Sequence, residues 1–336
     1  MAKQAGGDVA ERIEQFRQQY EQIASQLRRV IVGHEAAMGE LLACLLGGGH
    51  ALLEGVPGLG KTLMVRTLAD VLELTFSRIQ FTPDLMPTDI TGTNIVEADP
   101  AGGKAFRFQP GPVFAHLVLA DEINRATPKT QSAVLEAMQE QTVSVARTTH
   151  ELPQPFFVLA TQNPLEMEGT YPLPEAQLDR FLLKIRVDSP GVDELVDILD
   201  RTTGAETPQP QTAATGEQVL RMRELVRRVP AATHVKQYVA RIVRSTHPGA
   251  DEAPDCVRRY VRYGSSPRGG QAMILAAKVL ALRAGRANVA FADVAQVAPA
   301  AMRHRLILSF EGQADGADPD RIIRDVLQSV PKAEEV

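Results

Sequence analysis

A glycine-rich loop between an apolar run and a helical stripe constrains the fold of this chain more than any other feature. Residues 55–62 read G-V-P-G-L-G-K-T and match the phosphate-binding pattern G-x-x-x-x-G-K-[ST] at every fixed position. Apolar residues 51–53 precede the loop, and a stripe at helical spacing follows it: Leu63, Met64, Thr67, Leu68, Val71 and Leu72. This order predicts a strand, a phosphate-binding loop and a helix, as in α/β proteins with a parallel sheet.

The residue types in the loop suit a nucleoside triphosphate with its magnesium ion. Glycines let the backbone turn so that N–H groups point at phosphate oxygens, and the start of the next helix adds partial positive charge. Lys61 would reach the outer phosphates, and the Thr62 hydroxyl would help to hold Mg²⁺. We therefore predict that ATP contacts Gly55, Val56, Pro57, Gly58, Leu59, Gly60, Lys61, Thr62 and Leu63. The alternative, a glycine-rich turn before an ordinary helix, is disfavoured by the matched context.

Two further apolar runs end in polar residues that fit the same chemistry. Residues 117–120 lead into Asp121 and Glu122, so we predict that Asp121 ligates Mg²⁺ and that Glu122 activates the attacking water. Residues 157–160 lead towards Asn163, which would position that water. A proline follows Asn163, and turn formation is the other interpretation of this asparagine.

Apolar runs alternate with helical segments in the first part of the chain, and helical periodicity dominates the last part. We predict a helix at 8–30, strands at 51–53, 75–81, 117–120, 156–161 and 181–187, hairpins within 92–112 and 141–155, and later helices at 217–229, 233–246, 268–284, 292–303 and 318–329. The predicted fold class is an α/β sandwich with a central parallel five-stranded sheet, followed by an all-α domain. We divide the chain into an α/β domain (1–190), a connection and flexible linker (191–216) and a helical domain (217–336).

Charge and composition argue against several classes of function. The net charge of −5 gives no reason to expect nucleic acid or an anionic membrane as a partner. Residues 41–46 form the longest apolar stretch, which is too short to span a bilayer, and residues 1–11 lack the apolar core of a secretory signal. The two cysteines and seven histidines have no spacing typical of a metal site. We therefore expect a cytoplasmic protein.

The chain resembles the MoxR-type AAA+ ATPases of the helix-2-insert clade over roughly residues 20–310. The resemblance is carried by IQFTPD at 79–84, ITGT at 90–93, ADEINRA at 120–126, QE at 139–140, ATQNP at 160–164, EGTYPLPEAQLDRF at 168–181, SPR at 266–268 and RHRL at 303–306. It implies a P-loop AAA+ αβα sandwich with a helical lid domain. It also implies that 92–112 is the insertion into helix 2 and that 141–155 is the hairpin before the sensor-1 strand.

The resemblance assigns roles to residues outside the loop. Asn163 matches the sensor-1 position, Arg180 the arginine finger, and Arg268 the sensor-2 position in the lid. Val32 and Gly33 are implied to contact the nucleotide. We expect Arg268 to draw the lid onto the nucleotide and Arg180 to serve the site of a neighbouring copy. An arginine finger given in trans implies a ring, expected to be a hexamer; whether Arg125 also faces the neighbour stays open.

The resemblance also implies a function and partners. We expect ATP hydrolysis to ADP that drives chaperone-like remodelling or maturation of partner protein complexes, with metal-cofactor insertion as one form of it. Proteins with von Willebrand factor A domains are the expected clients or adaptors. The alternatives are a DNA-stimulated AAA+ motor or helicase loader, a small-molecule kinase, and a nucleotide-gated scaffold that turns over slowly.

Overall fold

The computed structural model describes residues 2–98, 104–163, 169–204 and 208–332. In chain order the elements are α1 (Ala2–Val30), α2 (Glu35–Gly47), β1 (Ala51–Glu54), α3 (Lys61–Val71), β2 (Phe76–Gln80), α4 (Pro87–Thr91), β3 (Gly92–Ala98), β4 (Lys104–Pro110), β5 (Leu117–Asp121), α5 (Pro128–Glu140), β6 (Thr142–Val145), β7 (Thr148–Glu151), β8 (Phe157–Gln162), α6 (Glu175–Leu178), β9 (Leu183–Arg186), α7 (Val192–Thr203), α8 (Gly216–Arg228), α9 (Thr233–Ser245), α10 (Asp255–Tyr260), β10 (Val261–Tyr263), α11 (Pro267–Arg283), α12 (Phe291–Met302), β11 (Ile307–Leu308), α13 (Phe310–Ala314) and α14 (Pro319–Ser329).

The central sheet has five parallel strands in the order β2–β5–β8–β1–β9. These are the five predicted strands, with bounds within two residues of those expected, so the predicted fold class is confirmed. From β1 the chain crosses through α3 to β2 at one edge, whereas β9 lies on the other side of β1. The carboxyl end of β1 is therefore a topological switch point, which is where α/β sheets bind their ligands.

Both faces of the sheet are buried, which explains the uninterrupted apolar runs. Leu53, Leu119 and Leu159 point into one core together with α1, α2 and α3. Their neighbours Leu52 and Val118 point into a second core on the opposite face, together with α5. Alternating burial on two faces is the pattern of a parallel sheet covered by helices on both sides.

The two predicted hairpins are present. β3 pairs antiparallel with β4, and β6 pairs antiparallel with β7. The turn predicted at 99–104 lies outside the described residues except for Lys104. Residues 164 and 168, which belong to the motifs at 160–164 and 168–181, lie outside them as well. The hairpins contact each other because Phe108 stacks on His150 with ring centroids 3.9 Å apart.

The helical part differs from the prediction in two places. The five predicted helices appear as α8, α9, α11, α12 and α14, but α10, α13 and the β10–β11 pair were not predicted. In addition, α7 occupies most of the first half of the stretch at 191–216 that was expected to be a connection and flexible linker. The helix has the period of an amphipathic segment, but the nearby Ser189-Pro190-Gly191 break obscured it.

The lid helices share one hydrophobic core with the sheet and the N-terminal helices. α11 packs against α1 and α2, and buried residues of all three belong to the cluster that contains Leu53. The predicted domain boundaries therefore remain predictions, since this core continues across them. Among the helices in the described ranges, none is long and apolar enough to cross a lipid bilayer.

Candidate nucleotide-binding site

The predicted phosphate loop connects β1 with α3, and two of its glycines adopt a backbone conformation that other residues avoid. Gly58 has φ +85° and Gly60 has φ +73°, and open space surrounds the position of a Cβ at both. Backbone conformation, not crowding, is thus the reason for glycine there. Gly55 differs, because its Cβ would lie 2.7 Å from the carbonyl oxygen of Val187. The loop therefore rests directly against the end of β9.

The Lys61 side chain folds back over this loop. Its Nζ donates to the carbonyl oxygens of Gly55 (2.5 Å) and Val56 (2.9 Å). Burial lowers the pKa of the Lys61 amine, while the charges of Asp121 and Glu122 act in the opposite direction and raise it. The amine therefore lies where a phosphate oxygen could replace the two carbonyl acceptors, close to the predicted metal ligand Asp121 and the predicted base Glu122.

Asp121, the predicted magnesium ligand, ends β5 at the carboxyl edge of the sheet. Thr161 Oγ1 donates to its Oδ1 (2.6 Å), and Arg78 donates to its Oδ2 from Nη2 (2.6 Å) and Nε (3.0 Å). The hydroxyl of Thr62 and this carboxylate are oxygen donors of the kind that Mg²⁺ prefers. The donor set thus fits the ion, but Arg78 competes for one carboxylate oxygen.

Glu122, the predicted activator of water, has φ 55° and is fixed by three side chains. Its backbone N–H donates to Thr161 Oγ1 (2.8 Å), and its Oε2 accepts from Gln80 Nε2 (2.7 Å). The same oxygen lies 3.1 Å from Nη1 of Arg125. The carboxylate is therefore held in place by polar groups, and an attacking water would have to share or replace those contacts.

Sequence reasoning missed Arg78 and Gln80. They alternate on β2, which pairs in register with β5 so that Gln80 lies opposite Asp121. Residues at i and i+2 on a strand share one face of the sheet, and two polar residues at this spacing were the available signal. The sheet order had to be known before that face could be assigned to the site. Arg125, which was left open, contacts Glu122 within its own chain.

The remaining predicted nucleotide contacts lie near this edge. Asn163 is buried and directly follows β8, the strand between β5 and β1. Val32 and Gly33 lie between α1 and α2, and α2 packs against β9. Gly33 has φ +66°, and a Cβ there would lie 2.5 Å from Oε1 of Glu194 in α7. A nucleotide that contacts Gly33 would therefore meet α7 as well.

Arg180 lies at the opposite, amino edge of the sheet. Its Nη1 donates to the carbonyl oxygen of Leu135 in α5 (2.9 Å). Two residues later, the N–H of Leu182 donates to the oxygen of His50, which directly precedes β1 (2.8 Å). The four residues of β1, about 10 Å of strand, separate this edge from the phosphate loop. Arg180 therefore cannot serve the loop of its own chain in this arrangement.

Arg268 lies beside Arg180 and not beside the phosphate loop. Both line one cavity of about 210 Å³ together with His50, Asp179 and Arg305. Ser266 Oγ donates to both carboxylate oxygens of Asp179 at 2.9 Å, which ties the start of α11 to the residue before Arg180. In this structure Arg268 therefore does not lie beside the phosphate loop of its own chain, and its expected role in drawing the lid onto the nucleotide stays a prediction. The packing of α11 against α2 carries Arg268 to the amino edge.

A chain of charges connects the end of β1 with the lid. Glu54, directly before the phosphate loop, contacts Lys184 (2.5 Å) and Arg186 (3.8 Å) of β9. Arg186 also contacts Asp318 (3.3 Å) and Asp320 (3.1 Å) at the start of α14. The part of the lid next to the phosphate loop is thus the start of α14, which sequence reasoning did not single out.

Glu40 of α2 lies beside this charge chain. Burial raises its pKa to about 7, Asp320 and Asp188 add to that increase, and Arg303 opposes it. Arg303 in turn donates to Asp320 (2.9 Å) and to the carbonyl oxygen of Lys184 (2.9 Å). A carboxyl that changes charge near neutral pH therefore lies where α2 meets the lid.

Comparison with known proteins identifies related chains. The family described as ATPases associated with various cellular activities (AAA) matches residues 50–183, and the AAA lid domain family matches residues 255–326. The chain is 46% identical over 305 residues to "Chaperone MoxR1" of Mycobacterium tuberculosis, covering 91% of this chain and 80% of the relative. It is 44% identical to the uncharacterized protein YeaC of Bacillus subtilis (90% and 92% covered) and 33% identical to "Protein MoxR" of Paracoccus denitrificans (84% and 87%).

A solved structure extends the similarity to the whole fold. The crystal structure of a candidate ATPase from Cytophaga hutchinsonii superposes with a TM-score of 0.89 at 38% sequence identity. The match covers 98% of this chain and 99% of that protein, so it includes the lid as well as the sheet.

Proposed function

Because the chain belongs to the MoxR-type AAA+ ATPases, we propose that its ATPase activity resides at residues 55–62 and drives chaperone-like remodelling of partner protein complexes. One observation carries the assignment of the site. Lys61, Asp121 and Glu122 meet at the carboxyl end of the sheet, where β1 is a topological switch point.

Nucleotide binding is the first step of the proposed mechanism. Backbone N–H groups of the loop and the N-terminus of α3 surround the phosphates, and Lys61 exchanges its two carbonyl acceptors for phosphate oxygens. Val32, Gly33 and Leu63 contact the nucleoside side of the ligand. Leu63 is 46% exposed although its position on the helical stripe predicted burial, so it is available for such a contact.

Thr62 and Asp121 would hold Mg²⁺. The ion, when bound, neutralises charge on the β- and γ-phosphate oxygens. Asp121 would give up both of its contacts with Arg78 for this, while Thr161 keeps Oδ1 oriented. Binding of the metal nucleotide therefore frees the Arg78 guanidinium.

Hydrolysis requires a positioned water and a base. Asn163 orients the water, and Glu122 accepts a proton from it as the water oxygen bonds to the γ-phosphorus. The bond between that phosphorus and the bridging oxygen breaks, so ADP and inorganic phosphate leave. Gln80 fixes the Glu122 carboxylate until the water arrives.

Arg180 and Arg268 complete the site of a neighbouring copy. Both lie on the amino edge, where they can face the phosphate loop of the next protein in a ring, which we propose is a hexamer. A guanidinium beside the γ-phosphoryl oxygens stabilises the charge that develops in the transition state. To reach it, Arg180 must leave the carbonyl of Leu135. Turnover then depends on assembly.

The proposed chaperone role rests on sequence similarity to a named relative. The Mycobacterium tuberculosis relative is named a chaperone, and we extend that role to this chain, with maturation or metal-cofactor insertion as its form. We further propose that proteins with von Willebrand factor A domains are its partners, that it acts in the cytoplasm, and that the two hairpins transmit motion to the client. The alternative of a DNA-stimulated motor gains no support from the net charge of −5.

Two substitutions test the assignment of the site. Lys61→Ala should abolish ADP binding in calorimetry, because the loop loses its only side-chain cation. Glu122→Gln should bind ATP normally but release phosphate at least ~100-fold more slowly, since the base is lost. Normal turnover of Glu122→Gln, or normal ADP affinity of Lys61→Ala, would refute the proposal. The Glu122→Gln protein would also serve as a trap to isolate clients.

A further inference from the structure

The helix α7 presents its apolar face to solvent. Val192, Leu195, Val196 and Leu199 recur at the helical spacing i, i+3, i+4 and i+7 and form what we call the α7 stripe. Val192 is 81% exposed, and the other three are each about half exposed (47–51%). No residue of this helix is buried. A contiguous apolar stripe on a surface helix marks a contact site for another molecule.

The orientation of α7 is fixed by its other side. Nη1 of Arg201 donates to the carbonyl oxygens of Arg28 and Arg29 at the end of α1, and Glu194 lies over Gly33. The stripe is therefore turned outward by polar contacts that anchor both ends of the helix. It lies on the same side of the molecule as the phosphate loop, because α7 begins six residues after β9 ends.

The stripe has an acidic border. Asp193, Asp197 and Asp200 are exposed, and within the described ranges none of them forms an ion pair. A partner that covers the stripe must therefore offer apolar groups together with positive charge.

A surface of that kind lies on the arginine side of the same protein. Tyr263 is 56% exposed, and the Cζ atom of Arg262 lies 5.2 Å from the centroid of its ring. Phe310 is 89% exposed. We call these three residues the β10 patch. Tyr263 stands five residues before Arg268, and the intervening Ser266 is bonded to Asp179, so the patch adjoins the edge that carries both arginines.

The two surfaces also match in length. Val192 and Leu199 are seven residues apart on a helix, or about 10 Å. On the β10 patch, Phe310 lies beside Tyr260, because the N–H of the preceding Ser309 donates to the carbonyl oxygen of Tyr260. The three residues of extended chain from Tyr260 to Tyr263 span about 10 Å, so Phe310 and Tyr263 are separated by about the length of the stripe.

We propose that the α7 stripe of one copy docks on the β10 patch of the next copy in the ring. This rests on the proposed function, in which arginines of one copy serve the phosphate loop of its neighbour. The contact joins two different surfaces, so each copy uses both, and repetition closes a ring. It would set the phosphate loop of one copy opposite Arg180 and Arg268 of the next.

Site-specific crosslinking tests this contact. Val196→Cys and Tyr263→Cys are made separately in a Cys256→Ser background, since Cys256 is half-buried and Cys44 is fully buried. The two proteins are mixed with Mg-ATP and treated with a short bis-maleimide. We expect a covalent dimer from the mixture and none from either protein alone. Val9→Cys, which is similarly exposed on α1, mixed with Tyr263→Cys is the matched control and should give none.

Three results would overturn the contact: no dimer from the mixture, a dimer from Val196→Cys alone, or equal yield from the control. The second would mean that the stripe meets itself across a two-fold axis, and the third that the thiols react without docking. If turnover still requires Arg180 while the mixture gives no dimer, the interface is wrong and the proposed function stands. If turnover no longer requires Arg180, the function fails.

Charge reversal gives a second, independent measurement. Asp197→Arg and Arg262→Glu should each raise the protein concentration needed for half-maximal assembly by about fivefold in sedimentation velocity. The double variant should return towards the wild-type midpoint, because each neighbouring pair is again opposite in charge. Additive weakening in the double variant would contradict the pairing.

Discussion

Removing the charge of Arg78 is expected to strengthen magnesium-dependent nucleotide binding. Arg78 donates twice to Oδ2 of Asp121, so it competes with Mg²⁺ for this carboxylate. The guanidinium is 48% exposed and Asp121 is 13% exposed, so the pair contributes about 1 kcal/mol, the upper end of the range for exposed ion pairs. That energy must be given up when Mg²⁺ arrives. Arg78→Met should therefore tighten metal-dependent binding about fivefold.

Calorimetry with ADP separates this effect from direct phosphate contact. The affinity of Arg78→Met is measured in EDTA and again in excess Mg²⁺, and the ratio of the two reports the metal alone. We expect an unchanged affinity in EDTA and a ratio about five times that of the wild type. Arg107→Met is the matched control, since Arg107 pairs with Glu97 on the exposed hairpin. Weaker ADP binding by Arg78→Met in EDTA would mean that Arg78 contacts phosphate. An unchanged ratio of the two affinities would mean that Arg78 does not compete with Mg²⁺ for Asp121. Either result would refute the reasoning.

Two further predictions concern stability. Gly55→Ala should lower the Tm by several degrees in calorimetry, because the new Cβ would lie 2.7 Å from the carbonyl oxygen of Val187. An unchanged Tm would contradict this and show that the end of β9 can move away. Glu40 has its pKa raised from 4.5 to about 7, so the folded protein keeps a proton that the unfolded chain loses, and wild-type unfolding free energy falls as pH rises through that window. The glutamine in Glu40→Gln does not titrate. In urea titrations the unfolding free energy of this variant should therefore rise relative to that of the wild type by roughly 2 kcal/mol between pH 5 and pH 8. A difference in unfolding free energy that does not change with pH would count against the burial of this carboxyl.

Features that depend on local sequence were predictable. The loop at 55–62 combines its own motif with flanking patterns, and the alternation of Leu52 and Leu53 between two cores follows from an apolar run in a parallel sheet. The hairpins at 92–112 and 141–155 were signalled by turn residues between short β-like pieces. For these elements the signal lies within a few residues along the chain.

Features that depend on tertiary arrangement were not predictable. Arg78 reaches Asp121 only because the sheet order sets β2 beside β5, and Arg186 reaches Asp318 across 132 residues. Arg268 was expected near the nucleotide of its own chain, but the packing of α11 on α2 carries it to the amino edge beside Arg180. Periodicity gives the faces of a helix and not the element that covers each face.

A mixing experiment tests most directly whether two copies share one catalytic site. Lys61→Ala removes the phosphate contact but keeps Arg180, whereas Arg180→Ala keeps the loop but should lose about 10³-fold in turnover. With random assembly from equal amounts, about a quarter of the interfaces join an intact loop to an intact arginine. We expect the mixture to regain up to that fraction of wild-type phosphate release. Turnover that stays at the level of the separate proteins, or an Arg180→Ala protein as active as the wild type, would contradict a shared site.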